Sequence, residues 1–292
     1  MDTKIWSDFF RAIGHKVFSS QSSDWYEVQK GMLFSIPYHH LIDPSKDELD
    51  DLLERSGAIA LRYPTHTTGF GFDSTLAMCD ARGYSLDTLN RKVRNRVKKG
   101  AANFDVRQFD ITELKMEALA LNKITCARQN RNDPKTNINY WTRLCESVKS
   151  AGVIAVGAFA QERLGAYALV IETPPTVEII LQCSDTELLD LCPNNILTYE
   201  ITRKYLEDPA SQMVVSYGLG SLEETDSLDH FKIGMGYRLD AIKQCIYFRK
   251  KIGWIVNTPL LSFIESITKI GLHRNYYLRK GSCIIRRYLS QY

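Results

Sequence analysis

The sequence predicts a mixed α/β (α+β) fold, a mainly antiparallel sheet flanked by helices, and three observations carry that prediction. Apolar residues alternate along some segments, as in half-buried strands, and recur every three to four residues in others, as in amphipathic helices. From Phe104 onward those segments run strand, two helices, three strands joined by short turns, helix, strand, helix, strand. The chain has 292 residues, 44% apolar and 24% charged, which is enough to build the core of one large domain or two medium ones.

Taken in order, residues 2–20 predict an amphipathic helix on Ile5, Trp6, Phe9, Phe10 and Ile13, with Gly14 as its stop. Trp25–Val28 and Met32–Ile36, separated by Gln29-Lys30-Gly31, predict a hairpin ended by Pro37. A helix begins near Asp43-Pro44 and ends at Gly57; strands follow at 58–63 and 75–78. Leu86, Leu89, Val93 and Val97 form one narrow apolar line on a helix otherwise filled by Arg91, Lys92, Arg94, Arg96, Lys98 and Lys99. Strand 104–109, helices 111–127 and 140–150, and strands 153–160, 164–171 and 177–182 come next. The stretch that the rest supports is Cys192–Tyr237: a helix opened by Pro193, with Asn194 or Asn195 as its cap, a strand at 213–217, the turn Gly218-Leu219-Gly220, and a short helix at 226–233 capped by Asp226. Residues 237–248 alternate as a final strand or hairpin.

Composition narrows the function classes. No apolar run approaches the roughly eighteen residues of a membrane span, and the start MDTKIWSDFFRAIG has no signal-peptide core, so the expected location is cytoplasmic. Seven widely spaced cysteines without a C-x-x-C pair predict reduced thiols, and His39-His40 lacks partners at ligand spacing, so no metal is expected. The net charge of +3 is unevenly spread: from Lys243 on there are ten basic residues against Glu265. That tail also carries an apolar helix face (Leu260, Leu261, Phe263, Ile264, Ile267, Ile270), which makes an anionic membrane surface a candidate partner for residues 252–292, against packing on the domain.

Five patches carry a resemblance: LNRKVRNRVKKG, RQNRND, GAFAQERLGAYALVIE, CPNNILTYEI and GLGSLEETDSLDHFKIGMGY. With these words in that element order, the chain resembles the GNAT superfamily of acyltransferases, and within it the Fem-like (FemAB-type) branch. The resemblance covers residues 85–248. It implies a reduced GNAT-like half over 1–84, a complete GNAT-like acyltransferase domain over 85–250 that includes the basic helix 86–102, and a basic tail over 251–292. Acyl-CoA-using members cradle the pyrophosphate with an R/Q-x-x-G-x-G/A loop before the central helix. Here that position reads Ser184-Asp185-Thr186-Glu187-Leu188-Leu189-Asp190, with no glycine and three acids. The resemblance therefore turns from acyl-CoA toward aminoacyl-tRNA, the donor of Fem-like relatives.

Acyl transfer to an amine needs a deprotonated nucleophile, donors for the developing oxyanion and an acid for the leaving group. Tyr217, at a strand end, is a candidate to protonate the leaving group or orient the carbonyl. Lys232 is the second catalytic candidate; the resemblance sets it against substrate phosphate or carboxylate, and otherwise it is an exposed helix lysine. Donor- or substrate-binding candidates are Arg128, Gln182, Asn194, Asn195, Gly218, Gly220, Phe231, Gly234 and Gly236, with Glu178 nearby. The predicted activity is N-acyl transfer, acyl or aminoacyl, from an activated donor to an amine-bearing acceptor such as a cell-wall or polysaccharide precursor. The absence of a His, Asp or Glu constellation leaves open a binding module without chemistry, and the basic helix and tail leave open a nucleic-acid binder.

Overall fold

The computed structural model describes residues 3–222, 226–253, 255–267 and 276–291. Along the chain these form α1 (Lys4–Ile13), β1 (Val17–Ser19), β2 (Asp24–Gln29), β3 (Met32–Ile36), α2 (Lys46–Ser56), β4 (Ala60–Thr65), β5 (Phe72–Cys79), α3 (Arg91–Ala101), β6 (Asp105–Gln108), α4 (Lys115–Arg128), α5 (Ile138–Ser150), β7 (Ile154–Ala160), β8 (Arg163–Thr173), β9 (Thr176–Ser184), α6 (Pro193–Leu206), β10 (Val214–Leu219), α7 (Asp226–Gly234), β11 (Arg238–Phe248), α8 (Lys250–Gly253), α9 (Thr258–Ile267) and α10 (Tyr276–Leu289). The fold is mixed α/β with a mainly antiparallel sheet, as the periodicities predict. The first helix is shorter than predicted: Gly14 takes φ 105°, a turn that breaks it, and residues 17–19 pair as a strand with β2. The side chains of Asp226, Phe263, Ile264 and Ile267, with Trp254 and Ile270, lie outside the described residues.

The chain divides into two compact units. Unit one comprises residues 1–13, 77–218 and 226–239, and unit two comprises residues 14–76, 219–225 and 240–292. The units are not consecutive in sequence, so linear boundaries at 84 and 250 run across both.

In unit one the strands lie in the order β10-β9-β8-β7-β6. β6, β7, β8 and β9 pair antiparallel, as short turns allow, whereas β10 runs parallel to β9 because α6 carries the chain back between them. Ile196, Leu197, Tyr199, Ile201 and Leu206 of α6 are buried in a core shared with Val170, Val177 and Val215 of the sheet and Val93 and Val97 of α3. Each such side chain contributes about 1.5–3 kcal/mol by leaving water. The ladder between β9 and β10 stops after Ser216↔Glu178, although β9 continues to Ser184 and β10 to Leu219. Their C-terminal ends are thus unladdered to each other, and polar side chains lie between them.

Unit two has the order β1-β2-β3-β4-β11, with β3 and β4 parallel and the other neighbours antiparallel. Leu49, Leu52 and Leu53 of α2 pack on Trp25, Leu33, Leu61 and Tyr63. Ser45 caps α2 by accepting from the Glu48 amide, and Gly57 ends it in the left-handed region at φ 70°. No helix among the described residues is long and apolar enough to cross a membrane.

Candidate active site

The polar residues between the ends of β9 and β10 form one hydrogen-bonded chain. Tyr217 Oη donates to Gln182 Oε1 at 2.7 Å, and Thr198 Oγ1 donates to the same oxygen at 3.2 Å. Gln182 Nε2 donates to Asn194 Oδ1 at 3.0 Å, and Asn194 Nδ2 to Ser184 Oγ at 2.9 Å. Arg128 closes the chain, donating from Nη2 to Ser184 Oγ at 3.2 Å and from Nη1 to Thr186 Oγ1 at 2.7 Å. Four predicted residues, Arg128, Gln182, Asn194 and Tyr217, are therefore one network. Ser184 and Thr198 are members the sequence reading missed. Their signal was present: Ser184 stands two residues after Gln182 on a strand, and Thr198 four after Asn194 on a helix, so each pair shares a face.

Above Tyr217 lies Lys232. It is 2% exposed rather than an exposed helix lysine, and its Nζ sits 5.5 Å from the Tyr217 ring centroid. Phe231 meets the same ring edge-on, 6.2 Å between centroids, and Tyr237 meets it edge-on at 5.6 Å. Among the described residues Lys232 Nζ has no hydrogen-bonded or ion-paired partner. Burial pushes its pKa down, with the charge of Asp229 pulling the other way. Burial pushes the Tyr217 phenol up, with Thr198 opposing. A phenol that is harder to ionise, and whose proton is committed to Gln182, is better suited to orient a substrate than to protonate a leaving group.

The remaining candidates divide by what they touch. Asn194 and Asn195 do not cap α6: Cys192 holds that position in the left-handed region at φ 63°, and Pro193 occupies the first turn. With that start, Asn194 turns to the network and Asn195, 8% exposed, donates from Nδ2 to Met235 Sδ at 3.5 Å. Gly234 and Gly236 serve packing: a Cβ on Gly234 would lie 3.1 Å from Val93 Cγ2, and one on Gly236, at φ 88°, 3.2 Å from Tyr84 Cε2. Gly218 takes φ 77° directly after Tyr217. Gly220 belongs to unit two, where its amide donates to Thr75 O at 2.7 Å and a Cβ would lie 2.9 Å from Thr75 Oγ1. It is a close-packing position there. Glu178 is fully buried where the β9–β10 ladder ends.

The acidic loop before α6 is tied up internally. Arg163 pairs with both Asp185 and Glu187. The Asp185 amide donates to Gly165 O, the Glu187 amide to Asp185 Oδ1, and the Leu191 and Cys192 amides to carbonyls of the loop itself. A pyrophosphate cradle needs such amides unspent.

The fold is shared with solved structures that bear Fem and lysylphosphatidylglycerol synthetase names. The chain is similar to FemX, at 15% identity over 90% of this chain and 93% of that one with a TM-score of 0.55. It is also similar to the C-terminal domain of a putative lysylphosphatidylglycerol synthetase from Agrobacterium fabrum (12% identity, 86% and 89% coverage, TM-score 0.57) and to L-PGS from Bacillus licheniformis (12%, 83% and 86%, TM-score 0.50). No family model and no curated protein matches the sequence.

Proposed function

We propose that the protein is an N-acyltransferase of Fem-like type that moves an aminoacyl group from an RNA-linked donor to an amine. The observation that carries this reading is Lys232: a buried ammonium with no ion-paired or hydrogen-bonded partner among the described residues, set over a tyrosine that a polar network holds in place. An uncompensated buried charge is costly, and a substrate that brings negative charge at the transition state offsets that cost. In this reading the acceptor amine attacks the donor carbonyl, with its N–H directed at the Tyr217 oxygen. The C–N bond forms as the carbonyl becomes an oxyanion beside Lys232. The bond to the leaving oxygen then breaks, and that oxygen takes up a proton as the amine loses one. Gln182, Asn194 and Arg128 hold Tyr217 and the end of β9 in register.

The choice of donor rests on the loop before α6, in which the Asp185, Glu187, Leu189, Leu191 and Cys192 amides and the neighbouring Arg163 are already engaged. One structural neighbour bears a name that pairs a lysyl group with phosphatidylglycerol, and that name supports an aminoacyl donor in this reading. The test is thermal stabilisation by coenzyme A thioesters set against aminoacyl-tRNA. At a hundredfold excess over Kd a donor adds about 2.7 kcal/mol, enough to separate the two classes. Stabilisation by the thioester alone would overturn the donor assignment.

A further inference from the structure

Unit two also holds a cation with no ion pair among the described residues. Arg62, on β4, stands in register with Phe34 of β3 and Ile246 of β11. Its guanidinium lies over the Phe34 ring, 4.6 Å from the centroid. Nε and Nη2 both donate to Gln244 Oε1, at 2.9 and 2.5 Å. Gln244 is fully buried and fixed in turn, its Nε2 donating to Ser74 Oγ at 2.6 Å and to Gly220 O at 3.2 Å. Phe34 is stacked with Tyr38 at 5.2 Å and with Tyr26 at 6.5 Å, and those two hydroxyls are 2.8 Å apart.

One edge of the guanidinium is thus anchored to a neutral amide and one face to an aromatic ring. Among the described residues no carboxylate pairs with Arg62 and no acceptor takes Nη1. Burial pushes its pKa down to about 10, against the pull of Tyr26 and Tyr38. Arg62 is half-buried, and the protein orients its guanidinium with neutral partners where a salt bridge would be the ordinary arrangement. The remaining edge, Nη1 with the second N–H of Nη2, offers two parallel donors, the geometry that receives two oxygens of a carboxylate or phosphate.

We propose that Arg62, oriented by Gln244 and Phe34, is an oxyanion-binding site of unit two that takes a carboxylate or phosphate group through two parallel hydrogen bonds. It stands apart from the transferase reading, because it is read by binding without turnover.

The test is the melting temperature of the full chain against rising inorganic phosphate and, separately, acetate, each at constant ionic strength set with chloride, for the wild type, Arg62→Met and Gln244→Glu. The expected result is a saturable rise in the wild type with at least one anion, and a half-saturating concentration raised tenfold or more in Arg62→Met. Whichever anion responds names the source of the oxyanion. Gln244→Glu sets a carboxylate against the guanidinium and cancels its charge, at the loss of the bonds that Nε2 donates to Ser74 and Gly220. Whatever its melting temperature without anion, its half-saturating concentration should rise tenfold or more. No saturable rise in the wild type would overturn the site, as would a response of Arg62→Met at the wild-type concentration. Should Arg62→Met fail to fold, a Gln244→Glu protein that responds like the wild type overturns it equally.

Discussion

At the scale of single residues, the site turns on Lys232. Its folded pKa lies below the ordinary value of 10.5, so between the two values the unfolded chain binds more protons than the folded one. The burial penalty is therefore fully present below the folded pKa and is relieved as pH rises toward 10.5. Lys232→Met should melt higher than the wild type near neutral pH, and the gap should close on the alkaline side; a constant gap would mean that the lysine is not desolvated. Activity should move the other way: loss of one oxyanion donor lowers turnover by about 10²–10³-fold. Tyr217→Phe removes the bond to Gln182 Oε1, which keeps Thr198, so stability should fall by only about 0.5–1.5 kcal/mol while turnover drops. Equal losses in melting temperature and no loss of rate would make Tyr217 a packing residue. The sequence named Tyr217 and Lys232 from their neighbours in the chain, but burial depends on what α7 and β10 bring together, and no local pattern reports it.

At the scale of elements, the strand and helix order was legible because each period is set locally. What was not legible is which glycines serve a ligand and which serve packing. Gly100 shows the difference: a Cβ there would lie 2.7 Å from Ile196 Cβ and 2.9 Å from Cys192 O, so α3 meets the first turn of α6 backbone to side chain. Gly281 in α10 has nothing within 4 Å of the same position. Gly100→Ala should cost about 1–3 kcal/mol and displace the turn that carries Asn194, lowering activity with stability. Gly281→Ala should be neutral or stabilising by about 0.5–1 kcal/mol. Denaturant unfolding of the two variants checks this, and equal effects would contradict the close approach of α3 to α6. The cap of α6 was misread for a related reason. Asparagine is a good cap by propensity, but Cys192 in the left-handed conformation already turns the chain, which leaves Asn194 for the network.

At the scale of the whole molecule, the basic tail belongs to unit two. Ile284 and Ile285 of α10 are buried, and beyond the helix Gln291 acts as a strand neighbour: its Oε1 accepts from the Ile246 amide at 2.6 Å and its Nε2 donates to Ile246 O at 3.1 Å. A chain ending at Lys251 would leave that part of the β11 edge unpaired. It should melt lower than the full chain and self-associate, whatever the tail does at a membrane, so vesicle binding is to be read on the full chain alone. Sedimentation of the two forms without lipid checks this; an equally stable, monomeric short form would show that the tail is dispensable to the fold. Sequence periodicity gave the tail one apolar helix after Pro259 but not α10, and the partner strand, separated from Gln291 by 45 positions, could not be read from either segment.

The central claim is transfer itself. Aminoacyl-tRNA charged with labelled amino acids, incubated with the protein and a mixture of amine-bearing acceptors, should lose label to the acceptors with the wild type and about 10²–10³ times more slowly with Lys232→Met. Label that remains on the tRNA with the wild type, or equal transfer by both proteins, would contradict the account.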